Sequence, residues 1–150
     1  MSYQFDMVEV PPVTLAVCET FTKQKDIPTR ITDMLGIVYA WLRESPVRQV
    51  GNNYAIYDQF GPDGMRMRVG FPVSAVFKNG NLVRCLELGA VNAAHTRHVG
   101  PYTGLPRAHA ELNQWCIGQS LNRGEFSWEK YGDWDDDPSK LVTDIYIKLI

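Results

Sequence analysis

The order of apolar patterns along this chain occurs twice, and that repetition constrains the fold more than any other feature. Val13 to Phe21 (VTLAVCETF) is β-branched and apolar, the composition of a strand. Ile27 to Glu44 follows, with Ile31, Met34, Leu35, Val38, Trp41 and Leu42 at the three-and-four spacing of one helix face. Pro28 and Thr29 suit its first turn, and Ser45-Pro46 stops it. Tyr54 to Phe60 and Met65 to Val73 then read as two strands around the turn Gly61-Pro62-Asp63-Gly64. The second half runs in the same order: a strand from Val91 to Val99, a helix from about Leu105 to Leu121, and strands from Phe126 to Gly132 and Thr143 to Leu149. Leu105, Ala108, Leu112, Trp115 and Cys116 mark the second helix's apolar face, with Thr103 as its expected N-cap and Pro106 in its first turn. Tyr3 to Val10 and Leu82 to Leu88 are expected to add one strand before each repeat. The expected architecture is α+β: duplicated βαββ units with pseudo-twofold symmetry in one domain over residues 1–150, repeat 1 about 1–80 and repeat 2 about 81–150.

Side chains alternate across a strand, so each repeat has a face under its helix and a face away from it. Ile145, Ile147 and Leu149, with Met67, Val69, Phe71 and Val73, form apolar sets expected to lie under the helices. Ile56 and Phe60, and their counterparts Phe126 and Trp128, are assigned to the same side. Tyr57, Gln59, Arg68, Glu129, Tyr131 and Tyr146 are thereby expected on the other face. Aromatic rings with a few polar groups are what a ligand groove needs. An antiparallel sheet with one wet face is the alternative.

Several function classes are disfavoured by composition. With 15 Lys+Arg against 17 Asp+Glu the net charge is −2, and no basic stripe suits direct nucleic-acid binding. Cys18, Cys85 and Cys116 are an odd number with no CxxC pair, which points to a reducing, cytoplasmic compartment. No basic-then-apolar leader opens the chain, and no apolar run approaches the about 20 residues of a membrane helix. His95 and His98 are three apart in a strand and point to opposite faces, while His109 has no second ligand near it in sequence, so no metal is expected. His98 is expected to serve the turn into the second helix. Asp133, Asp135, Asp136 and Asp137 lack the calcium-loop pattern and read as a solvated loop, and Cys116 reads as core. No GxSxG, phosphate loop or Rossmann glycine pattern is present, and no cofactor is implied.

Three segments resemble one family. His98-Val99-Gly100-Pro101-Tyr102 resembles the H-x-G-P-Y segment that opens the second helix of GyrI-like domains. Trp128-Glu129-Lys130-Tyr131, with Asp137-Pro138 after it, is similar to that family's E-x-Y strand and D-P loop. Thr143-Asp144-Ile145-Tyr146-Ile147 resembles its closing strand. The family includes effector-binding halves of AraC- and MerR-type regulators as well as free-standing proteins. The resemblance implies two helices on one face of an antiparallel sheet and a concave ligand groove on the other. It carries the drug-contacting glutamate onto Glu129 and a groove tyrosine onto Tyr146. The chain departs from the regulators in having no room for a helix-turn-helix domain, so a regulatory role would need a separate partner.

A carboxylate flanked by Tyr131 and Tyr146 in a partly dry groove would attract a cationic, planar aromatic ligand, with cation–π attraction of about 0.5–2 kcal/mol per ring. Tyr57 holds the repeat position equivalent to Glu129. Arg68 and Gln59 are candidates for the first-repeat side of the groove, with an ordinary exposed arginine as the favoured alternative for Arg68, and Trp134 serves as a wall or lid or else as a partly buried loop anchor. The leading expectation is a small-molecule binder that senses or sequesters hydrophobic compounds. The resemblance also admits a hydrolase opening electrophilic cyclopropane-bearing compounds, with Glu129 as acid or base and Tyr146 beside it. A third reading is a protein-interaction domain that protects a topoisomerase. The oligomeric state stays open.

Overall fold

Runs of β-branched and aromatic residues alternate with two amphipathic stretches, and the chain folds accordingly into strands and helices. The computed structural model describes residues 3–150; Met1 and Ser2, where the expected first repeat begins, lie outside the described residues. In chain order the elements are β1 (Phe5–Val10), β2 (Val13–Thr22), α1 (Ile27–Arg43), β3 (Tyr54–Gly61), β4 (Gly64–Pro72), β5 (Arg84–Leu88), β6 (Val91–Val99), α2 (Leu105–Gly118), β7 (Arg123–Tyr131) and β8 (Val142–Leu149). The fold is α+β, with antiparallel strands and two helices. It divides into two units. The first-repeat unit is Pro12–Gly89; the second-repeat unit runs through Pro11 and resumes over Ala90–Ile150.

In the first-repeat unit the strand order is β3-β4-β2-β5. Helix α1 lies over β2 and β4, burying Met34 and Val38. Register places Ala16 opposite Phe71 and Cys18 opposite Val69, and Ala55 and Tyr57 opposite Val69 and Met67. This is the face that meets α1; the Tyr39 ring of α1 stands edge-on to Phe71 at 6.3 Å. Gly70 has no room for a side chain, since a methyl there would come within 1.7 Å of the Ala16 carbonyl oxygen. Glycine thus permits the closest approach of β4 to β2.

In the second-repeat unit the order is β1-β6-β8-β7. Helix α2 lies over β6 and β8 and buries Leu105, Ala108, Leu112 and Cys116, so Cys116 is core as expected. The helix stops earlier than the expected Leu121: Ser120 takes a left-handed φ of 55°, and the Leu121 amide donates back to the Cys116 carbonyl. Thr103 is not its cap. It lies within a short 3-10 turn, Tyr102–Gly104, that leads directly into α2 without a side-chain cap hydrogen bond.

The two flanking strands form where the sequence places them, before each repeat, and their partners emerge only in the structure. Within Tyr3 to Val10, β1 pairs with β6 from Phe5↔Thr96 to Val10↔Val91. Within Leu82 to Leu88, β5 pairs with β2 from Val13↔Leu88 to Val17↔Arg84. Each precedes a repeat in sequence but hydrogen-bonds to strands of the other. A short apolar strand carries no local mark of its partner, because pairing is decided by the long-range register.

Candidate functional site

Strand β7 and helix α2 bring together a buried carboxylate and its donors. Glu129 and Tyr131 are two apart in β7, so they share a face, and the Tyr131 hydroxyl donates to Glu129 Oε1 at 2.5 Å. From above, His109 of α2 donates from Nε2 to Glu129 Oε2 at 2.7 Å. The Glu129 side chain is 5% exposed and that of His109 23%. Tyr102, in the turn before α2, sets its ring edge-on to Tyr131 at 5.6 Å. Burial raises the Tyr102 phenol above the ordinary tyrosine range, so it stays a neutral donor.

The turn that aims these groups is built from His98. Its Nε2–H donates to the Pro101 carbonyl at 2.8 Å, and its Nδ1 accepts from the Tyr3 hydroxyl at 2.7 Å. His98 thus serves the turn into α2, as the sequence suggested. Gly104 is required beside it: a methyl there would lie 2.5 Å from His98 Cε1.

The face assignments from sequence need correcting. Glu129 pairs with Ile145 and Tyr131 with Thr143, and Ile145 and Thr143 pair in turn with Thr96 and His98. All of these lie on the α2 face, so Glu129 and Tyr131 pack beneath the helix rather than away from it. Trp128, expected under α2, pairs with Tyr146 on the opposite face, and their rings stack at 4.8 Å and 10°. Tyr57 is corrected in the same way: it pairs with Met67 on the α1 face and is 5% exposed, while Ile56 pairs with Arg68 on the other face. The cause is common to both repeats. An aromatic or aliphatic strand residue was taken to mark the helix side, but Trp128 and Ile56 are buried on the far side, at 2% and 0% exposure.

Tyr146 lies away from α2 as expected, which separates it from Glu129; the sheet layer stands between them. It neighbours His95 instead, with ring centroids 4.9 Å apart. His95 bridges two carboxylates, Nδ1 to Asp6 Oδ1 at 2.8 Å and Nε2 to Asp144 Oδ1 at 2.7 Å, and Arg97 Nε also donates to Asp144. His95 and His98 do point to opposite faces. Asp6 and Asp144 meet opposite nitrogens of one ring, and among the described residues no group of three or more His, Cys, Asp or Glu could hold a metal ion.

Arg68 lies away from α1 as expected, and its side chain is 15% exposed. It donates to Asp58 at 3.3 Å, and Arg66 forks onto the same carboxylate. Gln59 is exposed at a bulge with φ of 51°. Trp134 is 73% exposed in the loop after β7, which rules out the buried anchor and leaves an available aromatic surface.

Sequence reasoning missed His109. The signal was present: Leu105, His109, Leu112 and Cys116 follow the i, i+4, i+7, i+11 ladder, so a polar side chain sits on the apolar stripe and needs a polar partner on the sheet.

Fold and site together define a small-molecule-binding domain of the α+β class. The chain belongs to the GyrI-like small molecule binding domain family, whose description matches residues 3–150. Among curated proteins, none matches significantly in sequence. The chain is similar to the C-terminal domain of EcmrR (19% identity, TM-score 0.85, covering 100% of this chain and 99% of that one). It spans 57% of the EcmrR chain solved in a complex with DNA, again at 19% identity and a TM-score of 0.85 with 98% of this chain covered. It also resembles SAV2435 bound to tetraphenylphosphonium (14% identity, TM-score 0.72, 100% and 94% of the two chains). A hydrolase from Listeria innocua shares the fold at 11% identity and a TM-score of 0.65, over 98% and 92% of the chains.

Proposed function

We propose that this chain binds hydrophobic, cationic, planar aromatic compounds at Glu129, beneath α2, and so senses or sequesters them. The observation that carries this is a nearly fully buried carboxylate held by a phenol and an imidazole, with the Tyr102 ring at its edge. A carboxylate so placed costs desolvation unless its charge is used, and a cation with an apolar body repays that cost while its rings pack on phenols. The family match supports a small-molecule ligand, and tetraphenylphosphonium on SAV2435 is a hydrophobic cation that carries aromatic rings, though not a planar one. Trp134, exposed in the neighbouring loop, is the side chain free to close over such a ligand. Direct nucleic-acid contact is no part of this reading. No helix among the described residues is long and apolar enough to cross a membrane, and with Cys18, Cys85 and Cys116 as free thiols we place the protein in the cytoplasm.

Fluorescence titration with N-methylacridinium tests the reading. Glu129→Gln keeps the shape and removes the charge, and it should weaken binding roughly ten- to hundredfold. Equal affinity in the two proteins would refute it. The hydrolase variant drawn from sequence, with Tyr146 assisting Glu129, is not retained, because those side chains lie on opposite faces of the sheet.

A further inference from the structure

Strand β4 carries two arginines on the face away from α1, and one carboxylate receives both. Arg66 forks onto Asp58, with Nε donating to Oδ1 at 2.7 Å and Nη2 to Oδ2. Arg68 reaches the same Oδ2 at the longer distance of 3.3 Å. Its Nε is one of two buried side-chain nitrogen or oxygen atoms among the described residues with no hydrogen-bond partner; the other is Thr143 Oγ1. A guanidinium has five N–H donors in a rigid fork, and a buried donor of this kind is nearly always paired. Asp58 does not account for Arg68, because Arg66 already serves both of its oxygens. Glu19, opposite Arg68 in the register with β2, is solvent-exposed and turns to Arg66 Nη1 at 3.6 Å. Burial, with the like charge of Arg66, holds the Arg68 pKa below the ordinary arginine value and outweighs the attraction of both carboxylates. The guanidinium stays charged nonetheless. Beside it, Phe21 presents an exposed ring on the same face, opposite Arg66.

We propose that Arg68 is an anion site: its fork receives the carboxylate of an organic acid whose aromatic body packs on Phe21. The side chain keeps 15% of its surface exposed, which gives such a ligand access to the fork. A carboxylate suits it better than a phosphate on two grounds. Its planar pair of oxygens matches the planar donors. It also adds a single negative charge, whereas a dianion would be repelled more strongly by Asp58 and Glu19. The site belongs to the first-repeat unit and takes the opposite charge from Glu129, so it stands or falls independently of the cation reading.

Naphthoate and naphthamide share their rings and nearly their shape and differ in charge. Each is titrated into the protein at about pH 7, where the acid is ionised, while the Arg68 Nε–Hε resonance is followed by proton–nitrogen NMR. Naphthoate should shift that resonance saturably below about 10 mM, and naphthamide should bind at least about tenfold more weakly. Arg68→Lys keeps the charge and loses the fork, and Arg68→Met loses both. Each should weaken naphthoate at least about tenfold, read from the backbone amides of β4. A resonance unmoved by naphthoate up to about 10 mM overturns the proposal, as does naphthamide bound equally well, or Arg68→Lys binding naphthoate as wild type does. Phe21→Ala should weaken naphthoate about threefold or more, and an unchanged affinity there would remove the ring from the proposed seat. If the arginine variants do not fold, the two probes compared on wild type carry the test by themselves.

Discussion

Replacing His95 by Gln should destabilise the protein in a pH-dependent manner, because His95 ties β1, β6 and β8 through a proton. Both ring nitrogens face carboxylates, at 2.8 and 2.7 Å, so both must carry hydrogen, and the ring is an imidazolium in this arrangement. The hydrogen bond that His95 donates to Asp144, opposed by burial and helped by Asp6, holds the His95 pKa above the ordinary histidine value. Asp144 is correspondingly low: burial resists its ionisation, but hydrogen bonds from His95 and Arg97 outweigh that. Other charged groups on this face include Arg97 beside Asp144, Lys130 across from Asp144 in β7, and Lys148 further along β8, which is paired with Glu125, with the Tyr146 phenol against the ring. The Asp144 contact is shielded, at 18% and 17% side-chain exposure, and a hydrogen bond to a charged partner of this kind contributes about 1.5–3 kcal/mol. The Asp6 arm is 61% exposed and is screened to about 0–1 kcal/mol. Glutamine keeps one donor, which leaves an expected loss of about 1–3 kcal/mol. A raised folded-state pKa means the folded protein holds the proton more tightly. The stabilisation is therefore complete below the unfolded value of about 6.5 and is lost as pH rises through the folded one. On the acid side the low pKa of Asp144 stabilises above about pH 3.9 and is lost as pH falls through its folded value. Urea unfolding followed by tryptophan fluorescence, from about pH 5 to pH 9, should show wild type and His95→Gln converging toward the alkaline end. A difference that stays constant across the range, or an NMR titration placing His95 below the ordinary value, would refute the reasoning.

Two further substitutions probe the frame of the site. Gly104→Ala places a methyl against a His98 ring pinned at both nitrogens, so it should cost about 1–3 kcal/mol in denaturant unfolding, and an unchanged midpoint would show that the ring moves aside. Trp128→Ala removes a 2%-exposed ring stacked on Tyr146 and should cost about 3–5 kcal/mol by thermal or urea unfolding; a loss below about 1 kcal/mol would mean the stack contributes little to the fold.

The helices were legible because a three-and-four spacing needs only its own segment to be read. Met34 and Val38 in α1, and Leu105, Ala108, Leu112 and Cys116 in α2, are the stripe residues that became buried. The partners of β1 and β5 were not legible, since each is a short apolar strand and register depends on residues far away in sequence. Face assignment failed for a related reason. Parity inside one strand is certain, but which face meets the helix depends on the neighbouring strand, and both faces of β3 and β7 are buried in places.

That distinction explains why the Glu129–Tyr131 pair emerged from a reading that put it on the wrong side. An E-x-Y spacing keeps the carboxylate and the phenol together whichever way the strand faces, whereas joining Tyr146 to them required the register between β7 and β8 and was wrong. The helix held the missing information. His109 breaks an apolar stripe whose other members are buried, and a polar side chain there is best satisfied by a polar group rising from the sheet below. Of the two carboxylates in the β7 stretch, Glu125 lies at the exposed end of the strand and Glu129 lies next to Trp128 in its buried part. Carrying the ladder argument through would therefore have turned Glu129 toward α2 from the sequence alone, against the pull of Trp128.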